Sequence, residues 1–313
     1  NTWTVTAGIG SWSAGTPNST QKLVFTGNYP PAGDPNVNIT GCSCMITGGA
    51  TVTIKSGKTL TITNEVTVVG GGKLTFEDTA SLVQINNAAI NLGDITYKRI
   101  TAPIRQTDYT YWSSPVKPIT GSGYQLGSIA ISQNYLSYDS TVTNDWKYEN
   151  ASKEMTNGIG YAIQGPGTMA GTPYLASFVG VPNNGNVTVP VIFTNPLNLL
   201  PTNPNYGVSY LLGNPYPSAI NADTFLSANA GLLDGTLYFW THYTEIGLGT
   251  TNLGSGALAF TSDDYASYNY TGGVSGIGYA APTIGLSAIA KDIPTGKIAA
   301  GQGFFATSIA TGN

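Results

Sequence analysis

Ala50-Thr51-Val52-Thr53-Ile54, Thr59-Leu60-Thr61-Ile62-Thr63, Glu65-Val66-Thr67-Val68-Val69, Lys73-Leu74-Thr75-Phe76 and Ser81-Leu82-Val83-Gln84-Ile85 follow one another along the chain. In nearly every piece an apolar residue alternates with Thr, Lys or another polar residue. Successive side chains of an extended chain point to opposite faces, so each piece reads as a short strand with one face to bury. The breaks are Ser56-Gly57, Gly70-Gly71-Gly72 and Asn86-Asn87. None is the Asn-Gly or Asp-Gly pair of a tight hairpin. Short strands at ~8–11-residue spacing with glycine corners predict a β-solenoid over residues 46–100. Stacking would place Ile54, Ile62, Val68, Phe76 and Ile85 inside. A flat antiparallel meander is the competing arrangement.

The rest of the chain is also built for strands. Charged residues make up 9 % of the 313 residues, against about 25 % in ordinary soluble domains. Thr and the β-branched apolar residues suit a pleated surface, and Gly, Asn and Pro suit turns. Upstream, Trp3-Thr4-Val5-Thr6, Lys22-Leu23-Val24-Phe25 and Asn36-Val37-Asn38-Ile39-Thr40 alternate in the same way. Downstream of Arg105 the character changes. Aromatic strands such as Tyr109-Thr110-Tyr111-Trp112, Tyr135-Leu136-Ser137-Tyr138 and Thr236-Leu237-Tyr238-Phe239-Trp240 are separated by long loops. The expected fold is all-β: a solenoid-like domain over 1–104 and an elaborated β-sandwich over 105–313. One short helix is expected at Ile220–Leu226, capped by Asn221. Leu212-Gly213-Asn214-Pro215-Tyr216-Pro217-Ser218 reads as a loop stiffened by its prolines, either simply buried or gripping a ligand.

Composition excludes several function classes. The net charge is −4 with no basic stripe, so the electrostatic footprint of a nucleic-acid binder is missing. No apolar run reaches the ~18 residues of a transmembrane helix. The chain opens on a strand-like segment without a signal peptide and so reads as a mature or trimmed protein. A single histidine, His242, rules out a multi-histidine metal site, and as a general base it would need a nucleophile and an orienting acid. Cys42 and Cys44 sit two apart. They are either two small buried thiols or a tightly closed disulfide, with both side chains on one strand face. No cofactor is expected. Asp263 and Asp264 are adjacent, point apart on an extended segment, and offer at most a weak Ca²⁺ loop. A glycosidase would need two carboxylates about 5–10 Å apart. The acids available for such a pair are Asp108, Asp145, Glu149, Asp223, Asp234 and Glu245.

Several segments together carry a resemblance. They are Asp108-Tyr109-Thr110-Tyr111-Trp112-Ser113-Ser114-Pro115-Val116, Gly158-Ile159-Gly160-Tyr161-Ala162-Ile163, Leu212-Gly213-Asn214-Pro215-Tyr216-Pro217, Asp234-Gly235-Thr236-Leu237-Tyr238-Phe239-Trp240-Thr241-His242 and Ile298-Ala299-Ala300-Gly301-Gln302-Gly303-Phe304-Phe305. Thr59-Leu60-Thr61-Ile62 and Ala80-Ser81-Leu82-Val83-Gln84 add looser matches. The chain resembles large secreted proteins of Bacteroidota exported by the type IX secretion system. The resemblance implies an extracellular or outer-surface location upstream of a sorting domain, and no activity. It also implies O-glycan acceptors at Thr79 (in Asp78-Thr79-Ala80) and Ser140 (in Asp139-Ser140-Thr141). Similar proteins continue past Gly303-Phe304-Phe305, so the stop at Asn313 suggests an open sheet edge near Ile298–Asn313. Such an edge would accept a strand from a copy or a partner and build a fibre. The expected function is a non-enzymatic structural or adhesive module. A carbohydrate-binding module that stacks sugars on exposed aromatics and a glycoside hydrolase are the alternatives.

Overall fold

In the computed structural model the described residues are 1–31, 37–117, 124–140, 145–167, 169–193, 208–241, 264–276 and 293–313. The N-terminal part contains β1 (Thr2–Thr6), β2 (Ile9–Trp12), β3 (Lys22–Phe25), β4 (Ile39–Gly41), β5 (Ser43–Ile46), β6 (Thr51–Ile54), β7 (Thr59–Ile62), β8 (Val66–Val68), β9 (Lys73–Phe76), β10 (Ser81–Gln84) and β11 (Ile95–Arg105). These wind into a three-sided parallel solenoid. One side stacks β1, β3, β5 and β8, the second β4, β7 and β10, and the third β6, β9 and the start of β11. Partners lie about one coil apart in sequence, as in Ile39, Leu60 and Leu82. The meander is thereby excluded, because a meander pairs sequence neighbours antiparallel.

In-register stacking makes the core a set of apolar columns. Leu23, Cys44 and Val66 form one column, Phe25, Ile46 and Val68 a second. Val52, Leu74 and Ile95 form a third, Ile54, Phe76 and Tyr97 a fourth. Polar alternates such as Thr53, Thr75 and Thr96 form columns on the outside. Ile54, Ile62 and Phe76 are fully buried, and Val68 packs partly buried against the core. Ile85 departs from expectation. It is 61 % exposed, because β10 ends at Gln84 and the inward positions of that strand are Leu82 and Gln84. Gly48, Gly49, Gly70 and Gly71 all have positive φ and turn the same corner in successive coils, tied by Gly49 N–H to Gly70 O at 3.0 Å. Only glycine takes that backbone without strain.

Cys42 and Cys44 follow the thiol alternative, without the shared strand face. Cys42 lies at the corner between β4 and β5, so the two residues do not share a strand face. Both thiols are free. Cys44 fills its column at 1 % exposure, while the Cys42 sulfur accepts from Asn64 Nδ2 at 3.2 Å. Asn86 Nδ2 in turn donates to Asn64 Oδ1 at 3.0 Å, giving a polar ladder along that corner.

The second part adds β12 (Tyr109–Trp112), β13 (Val116–Lys117), β14 (Tyr135–Asp139), β15 (Asp145–Glu149), β16 (Tyr161–Gln164), β17 (Ala170–Pro182), β18 (Val208–Gly213), β19 (Ile220–Asn221), α1 (Ala222–Ala228), β20 (Leu233–Trp240), β21 (Tyr265–Asn269), β22 (Gly272–Val274), β23 (Lys297–Ile298) and β24 (Gly303–Ser308). The expected boundary between 104 and 105 falls inside β11. This strand pairs parallel with β9 and antiparallel with β17, and β13 extends the same sheet. Trp112, Tyr161 and Phe178 therefore share one core with Trp3 and Leu23. Two antiparallel sheets, β12-β16-β14-β15 and β18-β24-β20-β21-β22, face each other across an aromatic layer that includes Tyr111, Tyr138, Trp146, Tyr265 and Phe305. On the far side of the second sheet lies α1, with Phe225 edge-on to Phe304 at 5.5 Å. Asn221 caps the helix by accepting Thr224 N–H at 2.8 Å.

At β24 the open edge expected near the C-terminus is not formed. β24 is an interior strand, paired with β18 on one side and β20 on the other. Beyond it, Ile309 N–H bonds to Leu232 O and Gly312 exchanges two backbone bonds with Val191. The sheet that carries β1 instead ends on β2, and residues 1–21 hold no charged side chain.

Leu60 has neighbours above and below it in its column, so Leu60→Ala should cost about 2–5 kcal/mol. Ile85→Ala should stay within about 0.5 kcal/mol. Denaturant unfolding of the two variants beside the parent checks the difference.

Candidate functional site

The 212–218 loop is a structural lock. Asn214 is fully buried, and its Nδ2 donates to Ser218 O (2.8 Å), Ile298 O (3.1 Å) and Ala299 O (3.1 Å). Its Oδ1 accepts Tyr216 N–H at 2.9 Å, closing an Asx turn ahead of Pro217. Pro217 O accepts Leu82 N–H at 2.8 Å, so the loop completes the last solenoid strand. Asn183 Nδ2 reaches Ser114 O and Pro215 O from the other side. The side-chain amides of Asn214 and Asn183 are used by the protein itself, which is the buried-loop alternative.

Asp108, Asp145, Glu149, Asp223 and Asp234 are each engaged by a different partner. Asp108 accepts Arg105 N–H at 2.7 Å in its own turn, and Asp234 accepts Thr236 N–H at 2.9 Å. Asp145 caps Trp146 N–H, Glu149 accepts from Ser137 Oγ, and Asp223 accepts from the Tyr268 hydroxyl. Among the described residues no group of three or more His, Cys, Asp or Glu side chains is arranged to hold a metal. Asp264 is fully buried at the start of β21, where its carbonyl accepts Thr241 N–H and the Thr241 hydroxyl. A solvent-facing cation loop is therefore not formed by Asp264. Asp263, His242 and Glu245 lie outside the described residues. Thr79 is exposed in a left-handed backbone (φ 66°), and its hydroxyl bonds Ser56 Oγ at 2.8 Å and Gly57 N–H at 3.0 Å. Ser140 is buried at 7 % exposure, so its hydroxyl is not presented as an acceptor in the folded protein.

A cavity of about 330 Å³ opens where the solenoid meets the sandwich. Its wall comes from β11 (Arg99, Thr101), β12 (Thr110, Tyr111), β20 (Phe239, Trp240) and the β23–β24 segment (Lys297, Gln302). The aromatic groups have their polar atoms engaged elsewhere. The Tyr111 hydroxyl pairs with that of Tyr265 at 2.6 Å, and Trp240 Nε1 donates to Tyr109 O at 2.9 Å. They present ring surface to the cavity. Two buried polar atoms of the wall, Arg99 Nε and Thr110 Oγ1, have no hydrogen-bond partner. The nearest carboxylate oxygen to Arg99 Nε, Asp78 Oδ1, stands at 3.4 Å and already accepts Ile100 N–H at 3.0 Å. Sequence reading missed this place, since its wall is drawn from residues 99 to 303 with no local motif.

Behind the cavity, burial governs the tyrosines. Desolvation pushes Tyr97, Tyr109 and Tyr138 up to about 12, and raises Tyr111 and Tyr265 as well. Tyr111 stacks on Trp240 with centroids 5.6 Å apart and planes 18° from parallel. This layer is packing material, because a phenol held un-ionised against other rings offers neither a base nor a nucleophile at neutral pH.

A family model described as a domain of unknown function (DUF8693) matches residues 2–313. The chain belongs to the DUF8693 family. No curated protein matches it, and no solved structure does. The match spans solenoid and sandwich together, in keeping with the core they share.

The unfolded DUF8693 chain releases its tyrosine protons near pH 10, whereas folded Tyr97, Tyr109 and Tyr138 hold theirs to about pH 12. Between those values the unfolded state binds fewer protons. Stability from these groups is complete below pH 10 and falls as pH rises toward 12. A titration followed by phenolate absorbance and circular dichroism should show the buried tyrosines ionising together with loss of the fold. Free ionisation of all of them near pH 10, with the fold intact, is the opposite outcome.

Proposed function

We propose that this DUF8693 domain is a non-enzymatic structural or adhesive module of a secreted or cell-surface protein. The observation that carries the reading is the continuous core. A solenoid stacked in register passes through β11 into an aromatic sandwich, with the Asn214 hub binding the two. Such a body is stiff along its length and suits display or spacing. Asp108, Asp234 and Asp145 each satisfy a backbone N–H close by in the chain, which favours scaffold over hydrolysis. The resemblance to type IX-exported proteins of Bacteroidota supports an outer-surface location.

The platform-type carbohydrate-binding reading has less support. Among the described residues the strongly exposed tyrosines are Tyr148 on β15 and Tyr270 in the turn after β21, and the other described aromatics are largely spent in the core. Glycosylation at Thr79 would require breaking its bonds to Ser56 and Gly57. If the module joins a copy of itself, the uncharged edge open to it is β2, where Ile9 is 74 % exposed. Edge strands normally carry charge to prevent such pairing.

Antibody labelling of intact producing cells should detect the domain without permeabilisation, and deleting it should lower attachment to surfaces while leaving polysaccharide breakdown unchanged. Labelling only after permeabilisation, or loss of a hydrolytic activity on deletion, would refute the reading.

A further inference from the structure

We propose that the cavity between β11, β12, β20 and the β23–β24 segment binds a single sugar ring carrying a carboxylate, such as a uronate. The inference stands apart from the scaffold reading and does not depend on where the protein resides.

The cavity wall is one-sided in its chemistry. The chain carries 16 acidic and 12 basic residues, yet among the described residues the charged side chains of this wall are Arg99 and Lys297. Arg99 is held mostly out of solvent, with 20 % of its side chain exposed, and its link to Asp78 is longer than a good hydrogen bond. A guanidinium in that position favours an anion, above all a planar carboxylate. Gln302 is oriented by Ala299 N–H, which its Oε1 accepts at 2.9 Å, and this leaves the amide NH₂ as a donor. Thr110 Oγ1 is buried without a partner. A buried hydroxyl left unpaired costs about 1–3 kcal/mol, and a ligand oxygen arriving in the cavity would remove that cost.

Size and wall surface select the rest of the ligand. At about 330 Å³ the space lies at the small end of ligand pockets. Trp240 offers ring surface beside the donors. An apolar C–H face, a rim of hydroxyls and one carboxylate together describe an acidic pyranose. A free carboxylate would leave the aromatic wall unused, and a neutral sugar would leave Lys297 unused and Arg99 with only its long link to Asp78.

Titration calorimetry and saturation-transfer NMR on the whole chain test this, with glucuronate, glucose and acetate as separate probes. Glucuronate is expected to bind, more weakly as salt is raised, with glucose and acetate each weaker by about tenfold or more. Lys297→Gln and Arg99→Gln should each weaken glucuronate binding by a similar factor. Thr110→Val is the variant that separates ligand binding from packing. It removes an unsatisfied hydroxyl, so thermal stability should hold or rise while glucuronate affinity falls. No glucuronate binding by the parent, glucose or acetate binding as tightly as glucuronate, or unchanged affinity in both Lys297→Gln and Thr110→Val would each overturn the proposal.

Discussion

The pairing of one strand on both of its edges holds this molecule together. β11 accepts the last solenoid coil on one side, through Ile95, Thr96 and Tyr97 in parallel register with β9. On its other side it runs antiparallel to β17 as far as Arg105. A solenoid coil exposes unpaired backbone at its end, and unpaired backbone must be covered or it recruits other chains. β17 provides that cover for the third side of the solenoid, and the Pro217 carbonyl does so at Leu82 on the second. The sandwich is in this sense the cap of the solenoid. That relation explains why one family model runs across both parts.

The Asn214 hub follows from the same requirement. Where a solenoid, a loop and a sheet converge, carbonyls are turned inward without regular partners. One amide group collects three of them, from Ser218, Ile298 and Ala299. An unsatisfied buried carbonyl costs more than a formed bond gains, so this polar residue at the centre of the structure is part of its support. The junction cavity lies nearby, between β11, β12, β20 and the β23–β24 segment. A gap at such a meeting of elements is a usual place for a ligand.

Much of the solenoid was legible from the chain. The alternation at Val52, Ile54, Leu60, Ile62, Leu74 and Phe76 reports which residues face in, and the period of two needs no tertiary information. Ile85 was misplaced because alternation is blind to the point where a strand ends. The residue after Gln84 falls on a corner, and the chain direction changes there. Cys42 was misread for the same reason, since a corner separates it from Cys44. The C-terminal edge was misjudged because position along the chain says nothing of position in a sheet. β24 is near the end of the sequence and inside its sheet. The cavity left no trace in sequence, as its donors are contributed one at a time from Arg99 to Gln302.

The sequence by itself determined that the chain is all-β, that its first third stacks as short strands with glycine corners, that Asn221 starts a short helix, and that no regular metal or phosphate motif is present. These are matters of composition, local backbone preference and period, which act over a few residues. Only the tertiary structure decided that the two parts share one core, that Ser140 is buried, that Asp223 is engaged by Tyr268, and which cations face a common space. Those outcomes depend on contacts between residues far apart in the chain. Such contacts are set by the register and twist of whole sheets, and no local pattern encodes them.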